Sequence, residues 1–418
     1  MSASVSPHAV ESAWPQSKEQ QAAYRRFQAM GLPTQRDEEW RYAPTDEIGA
    51  AVTSLLADPV SSMRDVSVDI DSALAAALPD VPVDSGRALV LVNGRLADSG
   101  FSGNGWTVSD NGVAVGGDTT AMAALNAACN ARTIALTVDG NSEPLHIVHV
   151  VTAQRPTLAS PRLHVTVPAN VSANVVEHLV QLEADAPTVV NAAVWISLQS
   201  GAALRWHRLQ CLGNSTLSVY ETNATLESEA TMDWFSLDTG AALARNHMRI
   251  ALQGEFARAD LSGVYLSADQ QVIDNRLAIR HAQANASSSQ EYAGIAGGES
   301  RAIFQGKVRV DEGADGTKAK QRNRNLLMSD TAKVYTKPEL EIYADEVECA
   351  HGATTGQIDP DALFYLLARG IHATHAKRML VDAFVAASLA PVNDTPLAAT
   401  IQQRLADKLA QLQPDVSP

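Results

Sequence analysis

Cysteine is scarce: three in 418 residues, at Cys129, Cys211 and Cys349. Thiols so widely spaced build no disulfide framework, and an odd number points to free thiols in a reducing, cytoplasmic compartment. Long apolar runs are missing too. None approaches the roughly 18 residues that a membrane-spanning helix needs, so no membrane is expected. The opening MSASVSPHAVESAW has no basic segment followed by an apolar block, so no secretory signal is expected. Positive charge is in deficit, with 32 Lys and Arg against 47 Asp and Glu and a formal net charge of −15. That average field repels polyanions and argues against a nucleic-acid partner. The one basic run, Lys318 to Arg324, has no interleaved aromatics on which bases could stack and reads as a solvated face. No G-x-x-x-x-G-K-[ST] occurs, which excludes a P-loop ATPase; Gly313 to Lys318 is glycine-rich with the wrong spacing and reads as a turn.

What is present divides into three zones: a mainly helical region over 1–84, a β core over 85–354 and a helical region over 355–418. Near the start, Glu19 to Phe27 holds strong helix formers with Tyr24 and Phe27 on one face, closed by Gly31 and Pro33. In the middle, Leu163, Val165 and Val167 alternate with polar neighbours. Val190 to Leu198 and Met248 to Leu252 repeat the pattern. Period-two burial means half-buried strands, and frequent glycines mark turns between them. Such a core is a sandwich, a barrel or a solenoid; no internal repeat in the sequence chooses among them. Towards the end, Asp359 caps a helix with Pro360 in its first turn and Gly370 beyond its last. A second helix starts at Thr374 and stops before Pro391; a third opens at Asp394 to Pro396 and ends near Leu412. Helices this small must pack on the β core or on another protein.

The densest chemistry lies between Lys337 and Ile371. A corner near Asp345 separates the run Leu340, Ile342, Ala344 from a second strand on which Val347, Cys349 and His351 share a face. A thiolate and an imidazole are good ligands for iron or zinc, but two ligands on one strand make half a site. On residue chemistry alone Cys349 reads first as a small buried hydrophobe and only second as a ligand, whereas His351 reads equally as a ligand and as a hydrogen-bonding histidine. His146 and His149 fall on opposite faces of one strand, which argues against a shared ion. His372 and His375 lie at a helix entry with no further ligands. Glu339, Glu341, Glu346 and Glu348 define a glycosidase pair only if their spacing in space is right.

This segment, with Cys349-Ala350-His351-Gly352-Ala353-Thr354 at its centre, resembles the C-terminal signature of the SufB/SufD family, and its SufD type in particular. Phe304 to Gly306, Gln321 to Leu327 and Leu363 to Ile371 extend the resemblance, and Glu38 to Tyr42 resembles a segment near the family's N-terminus. Ala350 replaces a frequent serine and Glu348 a frequent lysine. The resemblance implies a right-handed parallel β-helix core flanked by N-terminal and C-terminal α-helical regions. It implies a non-enzymatic scaffold for building and transferring iron–sulfur clusters, paired with a SufB-like subunit through the β-helix. A SufC-type ABC ATPase would bind the C-terminal helices, at about 355–400. It places His351, and less directly Cys349, at a nascent cluster or iron shared across the interface, with none firmly held by the isolated chain. The cysteine that SufB carries in its core shortly before this segment has no counterpart, since none occurs between Cys211 and Cys349. A homodimer would therefore supply two His351 side chains and still lack that thiol. The rival from another class is a β-helix carbohydrate-active enzyme using acidic residues, which accounts for the β core and the charge but not for the C-terminal helices.

Overall fold

The alternating runs become strands of a parallel β-solenoid of about seven coils in the computed structural model. It describes residues 14–412 except 16, 64–68, 79–86, 98–100, 102, 104, 111–119, 131, 141–142, 153–154 and 184–185. The expected boundary at 84 and nearly all of the opening segment, residues 1–13, lie outside the described residues. Among the described residues the strands form two ten-stranded sheets. From Ser172 onward, consecutive strands alternate between the sheets, so each coil gives one strand to each and neighbours within a sheet are parallel. Sheet A begins its coils at Ser172, Ala203, Thr231, Arg258, Ser287, Thr317 and Val347, about 30 residues apart and inside the range of solenoid repeats.

The repeat is a repeat of register, with little repetition of residue type. One inward column of sheet A reads Glu177, Arg208, Ser236, Gly263, Tyr292, Asn323, Ala353. Size is traded between coils: a Cβ on Gly263 would lie 2.4 Å from Tyr292 Cε1. The corners also stack. Asn170 adopts a φ of 60°, and Gly201, one coil on, takes φ 69° where a Cβ would sit 2.4 Å from the Asn170 Oδ1. Only glycine satisfies both the left-handed backbone and that close approach.

Inward side chains of both sheets fill one elongated core, from Leu89 and Trp106 at one end to Ala302 and Phe304 towards the other. The outer faces are apolar as well, and helices cover them. On sheet B, the helices Lys18–Met30, Thr45–Ala57 and Ala121–Cys129 bring Phe27, Ile48, Val52 and Leu125 onto Val189, Val219, Leu243 and Ile303. Ala121–Cys129 lies inside the zone read as β from the sequence; its AMAALNAAC is buried almost all round, so it lacks the polar face that announces a surface helix. On sheet A, the helices Ala373–Leu389 and Ala398–Leu412 set Val381, Val385, Leu389, Ile401 and Leu405 over Leu209, Phe235, Leu237 and Val264. Burying each such side chain stabilises the pairing by roughly 1.5–3 kcal/mol. The last helix begins at Ala398 rather than at Asp394, because Thr395 Oγ1 donates to Val392 O at 2.7 Å and closes a separate turn first. Among the described residues no helix is long and apolar enough to cross a membrane.

Candidate functional site

The solenoid ends without a cap. Its final strands, Lys333–Ile342 in sheet B and Val347–Gln357 in sheet A, each pair on one side only, with Arg301–Val310 and Thr317–Leu327. Their free edges present unpaired backbone donors and acceptors, a surface that other strands can extend. No residue of either strand is buried. The turn between them lies at Tyr343 to Glu346, where the register argument put a corner.

Thr317–Leu327 fixes which way the last strand faces. Its odd residues Thr317, Ala319, Gln321, Asn323 and Asn325 are buried, and its basic residues alternate outward: Lys318, Lys320 and Arg322 are exposed as the solvated face expected of them, whereas Arg324 is half-buried over the Phe384 ring. Cys349 pairs with Ala319 and His351 with Gln321, so both side chains lie on the inward face at the open mouth of the core. The column leading to His351 runs Val175, Trp206, Trp234, Leu261, Gln290, Gln321. It changes from apolar to amide to imidazole as the mouth is approached. Opposite Gln321 the other sheet offers Gly306, and beyond Gly306 comes Pro338 in the edge strand.

His351 is exposed and has no side-chain hydrogen bond among the described residues. Cys349 is half-buried against the small cluster of Val308, Val310, Ala314 and Ala319, and partial burial pushes its thiol up. Among the described residues no group of three or more His, Cys, Asp or Glu is arranged to hold a metal. The donor set on this face, an imidazole with a thiol two residues away, suits iron or zinc. The other cysteines are remote: Cys129 is buried, its thiol pushed up to about 12 by burial, and Cys211 lies under the last helix beside Arg404.

Several residues read from the sequence are not brought together. His146 stacks on His178 outside sheet A, ring centres 5.7 Å apart, while His149 points inward to Glu177. Glu339 and Glu341 pair with Lys337 and Lys307 on the outside of sheet B, whereas Glu348 pairs with Lys318 on the outside of sheet A. Glu348 thus faces away from Glu339 and Glu341, which share the outer face of sheet B and are each held by a lysine. His372 precedes its helix as the N-cap residue, exposed.

A charged cluster inside the core had no signal in the sequence. Glu177, fully buried, accepts from His149 Nε2 at 2.8 Å, from Trp206 Nε1 at 3.1 Å and from the Tyr220 hydroxyl. Burial alone would raise its carboxyl; the bonds from His149 and Tyr220 and the nearby Arg208 outweigh that and hold it low. Arg208 in turn donates to Asp238 at 2.8 and 3.1 Å and to Asn246 at 2.6 Å. The partners are spread from residue 149 to residue 246, so no local pattern marks them.

A second exposed feature is apolar. The helix Pro360–Ala368, capped by Asp359 as expected, has no buried residue; Phe364 is 71% exposed and Tyr365 57%. The helices behind it cover the β core, whereas this one stands with its aromatic face in solvent.

These features define a helix-flanked parallel β-solenoid with an open, histidine-bearing end. The family model described as "SUF system FeS cluster assembly, SufBD core domain" matches residues 149–384, more than half of the chain, and the chain belongs to the SufB/SufD family. It is similar to the iron–sulfur cluster assembly protein SufD of Escherichia coli, 30% identical over 91% of this chain and 90% of that protein. It is similar to an iron–sulfur cluster assembly SufBD family protein of Synechocystis, 28% identical over 90% of this chain and 86% of that protein. It is also similar to the chloroplastic protein ABCI7 of Arabidopsis thaliana, 29% identical over 56% of this chain and 49% of that one.

Proposed function

We propose that the chain is a scaffold subunit of a cytoplasmic iron–sulfur cluster assembly complex, acting as a partner to chemistry completed elsewhere. One observation carries the reading: the two unpaired edge strands frame the mouth at which His351 stands exposed. A second β-solenoid of the SufB type would extend both sheets, satisfy the free backbone groups and cover His351. The imidazole would then serve as one ligand to iron of the nascent cluster, which is cargo, with thiolate and carboxylate ligands supplied by the partner. Cys349, half-buried and with its thiol raised, is the weaker ligand and contributes mainly packing.

The exposed face of Pro360–Ala368 supports a contact with an ABC-type ATPase within residues 355–400. Motion driven by nucleotide binding would reach sheet A through Ala373–Leu389, which packs directly on it. Such a shift requires the ATPase to bind one arrangement better than the other. The test is co-purification of the tagged chain from cells expressing a SufB-like subunit and the ATPase. Recovery of a ternary complex containing iron and sulfide is the expected result. A chain that stays monomeric, or that self-associates through the same edge and ignores the SufB-like subunit, would reject the reading.

A further inference from the structure

A separate polar cleft of about 280 Å³ lies outside sheet B, where the short helical turn Glu38–Trp40 crosses the last coils. Its floor is an unequal charge cluster. Arg245 and Arg276 are 1% and 4% exposed, and both bond to a single carboxylate, that of buried Asp274. Arg276 Nη1 also donates to Gln305 Oε1. The Nη2 atoms of both arginines are buried with no hydrogen-bond partner. Arg245 is covered by the Trp40 ring, its Cζ 3.7 Å from the ring centre, whereas Arg276 lines the cleft.

His247 adds a donor. Its Nδ1 lies 3.1 Å from Arg249 Nη2, and a guanidinium can only donate, so Nδ1 accepts and a neutral ring carries its proton on Nε2. His247 lines the cleft too, and Gln305, its oxygen occupied, presents its amide N–H groups. The floor is therefore rich in donors and positive.

The rim has the opposite sign. Lys337 is shared by Glu38 at 2.7 Å and Glu339 at 2.5 Å, and Lys307 pairs with Glu341 at 2.7 Å. Glu39 lines the same opening and has no ion pair among the described residues. Two ammonium groups thus face four carboxylates. A simple anion would suit the floor and be repelled by the rim; a simple cation would meet the reverse. The volume far exceeds the roughly 30 Å³ of one water. It falls just below the range of about 300–1,000 Å³ for ligand pockets, which suits a ligand of few atoms.

We propose that this cleft binds a small zwitterion of the α-amino-acid class, with its carboxylate on Arg276 and the His247 Nε2–H and its ammonium among the surplus carboxylates of the rim. This site goes beyond the scaffold role, and because Lys337, Glu339 and Glu341 of its rim lie on the edge strand Lys333–Ile342, it is tested on the chain without partners. Isothermal titration of the full chain with glycine and with L-alanine tests it, with acetate and methylammonium as single-charge controls. Both amino acids are expected to saturate, with each control at least about tenfold weaker. Arg276→Met should abolish binding. Because that residue is buried, Glu339→Gln, at a partly exposed position, is the second variant, expected to keep the melting temperature and weaken glycine while binding acetate no more weakly. Absence of saturation by either amino acid, acetate binding as tightly as glycine, or unchanged glycine affinity in Glu339→Gln would each overturn the proposal.

Discussion

Gln321 donates its side-chain amide to Gln290 Oε1 across 3.1 Å, one coil beneath His351 in the same inward column. The opposite sheet makes room for it. A Cβ on Gly306 would fall 1.3 Å from Gln321 Nε2 and 3.1 Å from Gln290 Oε1. The pair of amides is therefore the platform under the imidazole, and a glycine across the core sets its position.

Gly306→Ala should drive Gln321 out of that position and disturb the strand carrying His351. Overpacking of this kind typically costs about 1–3 kcal/mol. Urea unfolding should show the midpoint lowered with an unchanged slope. The double variant Gly306→Ala with Gln321→Ala should recover much of the loss, since the clash is with the Gln321 side chain. A double variant no more stable than Gly306→Ala would break the link between these two residues.

His351→Ala removes an exposed side chain with no hydrogen-bond partner among the described residues, so the stability change should stay within about 0.5 kcal/mol. Assembly with the partner subunits should persist while iron and acid-labile sulfide in the purified complex fall. Unchanged iron and sulfide would remove His351 from the site. Cys349→Ser should have the smaller effect on both, because that thiol is half-buried and pushed up.

The strands and their inward faces were legible because apolar residues recur at every second position, and burial alternates with them over Leu163 to Val167 and Met248 to Leu252; over Val190 to Leu198 both faces are buried except at Ser197, so the expected half-burial does not hold there. The shared face of Cys349 and His351 followed from the same periodicity. The solenoid itself was not legible from pattern, since stacked positions such as Glu177, Arg208 and Ser236 have nothing in common but register. Its selection rested on the resemblance carried by Lys337 to Ile371. Openness of the last coil was invisible as well: Lys333–Ile342 has the composition of a strand whether or not another lies beside it. The Glu177 cluster and the cleft at Arg276 join residues tens or hundreds of positions apart, which no local window contains.

Phe364→Asp tests the proposed ATPase contact without touching the core. The side chain is 71% exposed, so the melting temperature should hold. A buried aromatic anchor lost from an interface costs about 2 kcal/mol or more, close to thirtyfold in affinity. Pull-down of the ATPase should drop accordingly while pairing with the SufB-like subunit is retained. This variant is sharper than deleting everything after Gln357. That deletion would also strip Val381, Val385 and Ile401 from sheet A and leave Leu209, Phe235 and Leu237 in water. Normal ATPase capture by Phe364→Asp would move the contact elsewhere.

Stability should fall on mild acidification, and the histidines set the window. Burial depresses His207, with help from Arg205, and depresses His281, both to about 4. Burial holds His178 well below its ordinary range, aided by His146, and His247 likewise, aided by Arg249. Each is neutral in the folded chain and takes up its proton near pH 6.5 once unfolded. Between those two values the unfolded state binds more protons, so stability rises with pH and is lost as pH falls from about 6.5 towards 4. The limit is about 1.4 kcal/mol per pH unit for each histidine fully titrated in one state only. Urea unfolding at pH 7, 6 and 5 should show a loss over both steps, the second nearly twice the first. His207→Gln, which cannot protonate, should shallow that loss by one histidine's share. A flat profile from pH 7 to 5 would mean that these rings are solvated enough to protonate in the folded state.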